Sequence, residues 1–381
     1  MRKTILICFT ALASIVYGQN PAGFSIDFNE SKTVIPISYR SGANPVIEVK
    51  INGKGPYKFM FDTGSLTLAK LDEKVFNELH LTATDSVLAG DGSGTNRKSF
   101  PVTNVKQISI GSYQINNAAA MVRDYNQRRN IDAIDGVIGL AFFKDVLVEL
   151  NFENNLLIIS KGKLEKEDKN TFPTTIINEI PAIRLKLGTK ELTAIFDTGN
   201  MGWLSVHSSY VSNEMVSGTP KVIGRAKTVS NEFEIREAQL NQRITIGNIE
   251  FKNPIITIND ILPQCNAGIR FLRQMNITFD QKNNLVKLTQ FQPKTPENHL
   301  KPTNEYVGKY GDRTITANSD GILFIQRPNG MLMKMTAKAK DEFGLEMVPE
   351  AALVFERDSN NKIIALKVSR GNGNWERSNK E

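Results

Sequence analysis

One stretch of this chain recurs, and its recurrence constrains the fold more than any other feature. Residues 46–71 read VIEVKINGKGPYKFMFDTGSLTLAKL, and residues 182–206 read AIRLKLGTKELTAIFDTGNMGWLSV. Each copy has an alternating apolar/polar strand, a short Gly-containing turn, a second strand and then Phe-Asp-Thr-Gly. The match continues downstream, where VKQISIGSYQINN at 105–117 parallels NQRITIGNIEFKN at 241–253. Asp62 and Asp197 are 135 residues apart, and Ile110 and Ile246 are 136 apart, so the register holds over most of a domain. A third block, NFENNLLII at 151–159 and FDQKNNLVKL at 279–288, closes each copy with strand, Asn-Asn turn and strand. A repeat of this length implies two β-rich units of similar plan.

The remaining chain divides around these units. Arg2 and Lys3 precede an uncharged apolar run, 5–16, followed by small residues, which is the plan of a secretory signal peptide over 1–18. The run is short of the ~20 residues a membrane span needs, so no stable membrane anchor is expected and the protein is read as exported, periplasmic or secreted. The first unit spans 24–160, a charged connection 161–175, the second unit 176–291, and a Pro-containing break 292–303. Residues 304–381 form a further small β-unit, with strands at 321–326, 351–357 and 362–368. Helical signal is sparse, and 72–81 is its best location. The fold class is therefore mainly β, with two similar barrel-like lobes and a small C-terminal β-domain.

Composition narrows the chemistry. Only Cys8 and Cys265 occur, and Cys8 lies in the signal run, so Cys265 has no partner for an internal disulfide. The net charge of +7 comes from scattered Lys and Arg without a basic stripe, which argues against nucleic acid as a partner. The three histidines, His80, His207 and His299, lack metal-ligand spacing, and no Gly-x-Ser-x-Gly elbow accompanies them. No metal and no cofactor is expected.

Asp-Thr-Gly once is an ordinary turn; twice, after matching strands, it carries chemistry. Two carboxyl groups held together cannot both ionise easily, so they share a proton. One can then act as base on a water while the other acts as acid. Asp62 and Asp197 are the candidate catalytic pair. Thr63 and Thr198 offer hydroxyls for hydrogen bonds between the loops, and Gly64 and Gly199 permit close approach.

These motifs resemble those of the pepsin-like and retropepsin-like aspartic peptidases, in particular bacterial secreted forms with both lobes in one chain. The resemblance covers roughly residues 35–290 and implies a cleft between two β-lobes, an intramolecular pseudo-dimer in a monomer, and endopeptidase activity on peptides or unfolded protein. It also implies a hairpin flap, for which Gly90, Asp91, Gly92, Ser93 and Gly94 are the candidate. The tyrosine of pepsin-type flaps is absent there, which favours the retropepsin-like side. Val137-Ile138-Gly139 fits the family's apolar-apolar-Gly strand, and Asn266-Ala267-Gly268 fits it loosely. Ser65 follows the first motif as in the family, whereas Asn200 follows the second. That departure leaves open a catalytically weak peptide-binding protein, or an envelope binding protein that retains the fold. The tail resembles small β-domains found behind catalytic domains in bacterial secreted hydrolases.

Overall fold

Alternation fixes the strands. In Asn44–Ile51, Val46, Ile47, Val49 and Ile51 are buried while Glu48 and Lys50 face solvent, and Ile180–Leu187 repeats the same burial order residue for residue. Each pairs antiparallel with the strand after its turn, Lys54–Phe61 in the first copy and Lys190–Asp197 in the second. The computed structural model describes residues 23–40, 44–65, 69–89, 98–126, 133–227, 232–261, 264–290, 304–318, 321–328, 330, 332–345, 348–369 and 374–381. The signal-like segment 1–18, the flap candidates Gly90 to Gly94 and the Pro-containing segment 292–303 lie outside the described residues.

The protein is mainly β, built of several sheets, as an all-β aspartic peptidase fold requires. The strand before each Asp-Thr-Gly is joined in parallel by a short later strand. Gly136–Ile138 runs beside Phe59, Met60 and Phe61, and Cys265–Gly268 runs beside Ala194 to Asp197. The other edge of each short strand is closed antiparallel, by Ala69–Asp72 in the first copy and Leu204–His207 in the second. A parallel strand needs a long crossover. The hairpin Lys98–Ile110/Tyr113–Arg123 supplies it in the first copy, and 208–264 supplies it in the second.

The closing blocks of the two copies pair with each other. Leu147–Asn151 lies antiparallel to Met275–Asp280, with Val148 opposite Phe279 and Leu150 opposite Ile277. Their hairpin partners, Leu156–Ser160 and Leu285–Gln290, widen this sheet on either side. Thr171–Ile177 bridges Leu285–Gln290 to Ile180–Leu187, so the sheet runs from the junction into the second copy. One continuous apolar core extends through both copies. Phe61 and Phe196, each next to its aspartate, are both buried in it. The aspartate loops therefore stand on a rigid apolar base.

The short helix falls at Glu73–Glu78, started by the Asp72 side chain, which accepts from Lys74 N. The tail is an eight-stranded antiparallel meander from Gly308–Tyr310 to Trp375–Asn379, among the described residues. A bridge between Tyr310 and Lys380 brings its ends together, so it curls toward a barrel. Its own core centres on the rings of Tyr306, Tyr310, Phe343 and Phe355. It packs against the second copy through Phe324, which joins Trp203 and Ile255.

Candidate active site

The two Asp-Thr-Gly loops meet face to face and are tied by four crossed hydrogen bonds. Thr63 Oγ1 donates to Phe196 O at 2.9 Å, and Thr198 Oγ1 donates to Phe61 O at 2.6 Å. In return Thr198 N donates to Thr63 Oγ1, and Thr63 N to Thr198 Oγ1, each at 3.0 Å. Both threonines are buried, so each hydroxyl is fully committed as donor and acceptor. Asn44 adds a further tie, with Nδ2 donating to Thr198 O at 2.7 Å and Gly199 O at 3.1 Å.

This lock brings the carboxyls together. A β-carbon placed on Gly64 would lie 2.5 Å from Asp197 Cγ, and one on Gly199 would lie 2.7 Å from Asp62 Oδ1. Each glycine is thus the floor on which the opposite aspartate rests, and no larger residue fits. The Asp62 and Asp197 carboxyls are thus each packed against the other's loop. Burial, and next the Asp197 charge, push Asp62 up to about 7, while the Lys70 ammonium pulls the other way.

The turns around the two aspartates match. Ser65 N donates to Asp62 O and Asn200 N to Asp197 O. Gly64 N donates to Asp62 Oδ1 and Gly199 N to Asp197 Oδ1, both at 3.0 Å. Behind each loop a glycine lets two backbones touch. A β-carbon on Gly139 would lie 2.7 Å from Ser65 O, and one on Gly268 would lie 2.4 Å from Gly202 O. Gly268 thus does in the second copy what Gly139 does in the first, although the residues before it read Asn-Ala.

The side chains beyond the turns differ. Ser65 Oγ is buried without a hydrogen-bond partner, and Asp62 receives only the Gly64 N–H among the described residues. On the other side, Asn266 Nδ2 donates to Asp197 Oδ2 at 2.6 Å. Asn200 orients it, since Asn200 Nδ2 donates to Asn266 Oδ1 at 2.9 Å while Asn200 Oδ1 accepts from Gly202 N at 2.8 Å. Asn200 N makes a third bond to the carboxylate, at 3.1 Å from Asp197 Oδ1. Sequence reading noticed Asn200 but missed Asn266, whose signal is a polar residue in a slot where the first copy has Val137.

Lys70 was also missed. It stands eight residues after Asp62, the place Ser205 holds after Asp197, and pairs with Val137 as Ser205 pairs with Asn266. Burial pulls its ammonium down, while the Asp62 carboxyl favours the charged form.

The remaining candidates fall into structural roles. His207 uses its ring locally, with Nδ1 2.8 Å from Ser209 Oγ and Nε2 3.2 Å from Asp260 O. Cys265 is buried within a strand, and burial pushes its thiol up to about 11. Trp203 is buried under the tail, with the Arg270 guanidinium 4.5 Å over its ring. Arg270 forms a buried ion pair with Glu237 at 2.6 Å and donates to the tail's Leu332 carbonyl. Among the described residues no group of three or more His, Cys, Asp or Glu side chains could hold a metal ion.

Residues 47–142 match the aspartyl protease family model. The match starts in the strand Asn44–Ile51 and runs through Asp62-Thr63-Gly64 to just beyond Val137-Ile138-Gly139. It supports an aspartic protease family and aspartic peptidase activity in general. The second copy, with Asp197, lies outside it. No curated protein matches the chain.

Proposed function

We propose that the protein is an aspartic endopeptidase in which Asp62 and Asp197 share one proton and activate a water against a peptide carbonyl. The observation that carries this reading is the reciprocal cradle, in which Gly64 and Gly199 each receive the opposite carboxyl while the threonines lock the loops. Such a support holds two carboxyls at a separation that favours a single shared proton, the arrangement for which aspartic proteases are the reference case. Burial and the Asp197 charge push Asp62 up, which favours a pair that keeps one proton near neutral pH. One carboxyl then serves as acid toward the carbonyl oxygen, and the other draws the proton from the water. The pair titrates as a unit, and the roles exchange when the leaving amine is protonated.

Asn200 supports an active site rather than a decayed one. Its amide is fully used in holding Asn266 on Asp197, so the departure from Ser is compensated within the same loop. We place the enzyme outside the cytoplasm on the strength of the signal-like first 18 residues, acting on extended or unfolded peptide chains as a monomer with its pseudo-dimer in one chain. Among the described residues no helix is long and apolar enough to cross a membrane.

The test is cleavage of an unfolded protein by the purified chain lacking residues 1–18. A statine-type transition-state mimic should block it, and Asp62→Asn and Asp197→Asn should each lower turnover by roughly 10³-fold or more. Cleavage by both variants at the parental rate would overturn the assignment.

A further inference from the structure

The wall beside Asp62 is apolar except for two cations. Met60, Val137, Lys70 and Met121 are successive cross-strand partners, so their side chains share one face of the sheet. Arg123, two residues beyond Met121 on the same strand, shares that face as well. Val137 packs there with Val46, Ile134, Met60 and Tyr125. In the second copy the place of Lys70 is taken by uncharged Ser205, so the cation is not a requirement of the fold.

Lys70 and Arg123 repel each other, and the Lys70 ammonium also faces the Asp62 and Asp197 carboxyls. Two like charges converge only at a cost unless something anionic answers them. Among the described residues neither forms an ion pair. The Arg123 guanidinium lies over two ring faces, Phe100 at 5.3 Å and Tyr125 at 5.7 Å. Among the described residues the buried Tyr125 hydroxyl has no hydrogen-bond partner, and this side chain faces Asp62, Asp72 and Arg123. The Asp72 carboxylate stands opposite Arg123 in the sheet and accepts from Lys74 N and Tyr125 N.

We propose that Lys70 and Arg123, with the Tyr125 hydroxyl, form a cationic subsite beside Asp62 that selects substrates carrying an Asp or Glu side chain close to the scissile bond. The inference rests on the peptidase reading and names the substrate class for that site. A carboxylate placed there would receive charge-assisted hydrogen bonds from the two cations and a further one from the Tyr125 hydroxyl, which has no partner among the described residues. Its partner amide, of equal size, would meet the same donors without the charge.

Matched blocked peptides that differ only by Glu or Gln at each of four positions around the cleaved bond decide it. The parental enzyme should favour Glu at one position by about tenfold or more in kcat/KM, expressed mainly in KM. In Lys70→Met and Arg123→Met the Glu/Gln ratio at that position should fall toward one. Lys70→Gln and Arg123→Gln serve if either methionine variant fails to fold by thermal melting. No Glu preference at any position, or a preference that survives both substitutions, overturns the subsite. If no peptide is cleaved in an Asp62-dependent way, it is the peptidase reading that fails. The same pairs made as reduced-amide ligands still decide the subsite by fluorescence anisotropy. Tighter binding of the Glu ligand that Lys70→Met abolishes supports it, and equal affinities reject it.

Discussion

The two Asp-Thr-Gly units share a backbone and differ in what surrounds it. Around Asp197, Asn200 and Asn266 form a closed amide chain that ends on the carboxylate. Around Asp62 the corresponding positions are Ser65, whose hydroxyl has no partner among the described residues, and Val137, which is apolar, with the Lys70 cation alongside. One carboxyl is held by directed donors and the other by burial and a nearby charge. Identical carboxyls are thereby placed in unequal environments, the condition under which two like groups divide acid and base roles. The repeat supplies the scaffold, and departures from the repeat supply the asymmetry that acid–base chemistry needs.

Substitutions that make the halves more alike, or that break what they share, test this contrast. The largest effect is expected where the halves are the same. Gly199→Ala would set a methyl group 2.7 Å from Asp62 Oδ1, and Gly64→Ala one 2.5 Å from Asp197 Cγ, so either should displace a carboxyl. A misplacement of about 1 Å costs roughly 10²-fold, and turnover of an unfolded protein should fall by at least that much in each variant. Asn266→Val gives the second half the residue of the first and removes the 2.6 Å donor from Asp197. Activity measured on one peptide across pH should drop about 10- to 100-fold, the usual effect of losing a hydrogen bond to a charged group. An unchanged rate would mean that the amide chain is decoration.

The smallest expected effect lies with Lys70. A cation beside Asp62 favours its ionised form, so Lys70→Met should raise the Asp62 pKa above about 7. The alkaline limb of kcat/KM, which reports loss of the shared proton, should then move to higher pH by a fraction of a unit. It should be followed with an uncharged peptide, so that subsite effects do not enter. A limb that moves to lower pH would reverse the assigned sign.

Much of this was legible in the sequence because it is local. Phe-Asp-Thr-Gly after an alternating strand marks Asp62 and Asp197, and the apolar base of each loop follows from the buried Phe61 and Phe196 next to them. The closing blocks with their Asn-Asn turns were visible as hairpins, but not as strands that pair with each other, since Val148 opposite Phe279 is a contact 131 residues long. Asn266 and Lys70 were hidden for the same reason. Each acts from a strand brought beside its aspartate by parallel or antiparallel register, and spacing along the chain carries no trace of that pairing. Asn44 reaches Thr198 and Gly199 across the two units and has no local signal at all. The cover of Trp203 comes from Phe324 of the tail, which only tertiary packing reveals.

The central claim is that Asp62 and Asp197 form one proton-sharing pair. A carboxyl-carbon NMR titration of Asp62, in the parental protein and in Asp197→Asn, tests it most directly. The account predicts that Asp62 titrates near 7 in the parental protein, far from its ordinary value of 3.8, and falls when the Asp197 charge is removed. Asp62 titrating near 3.8 in the parental protein, or a midpoint indifferent to Asp197→Asn, would contradict it.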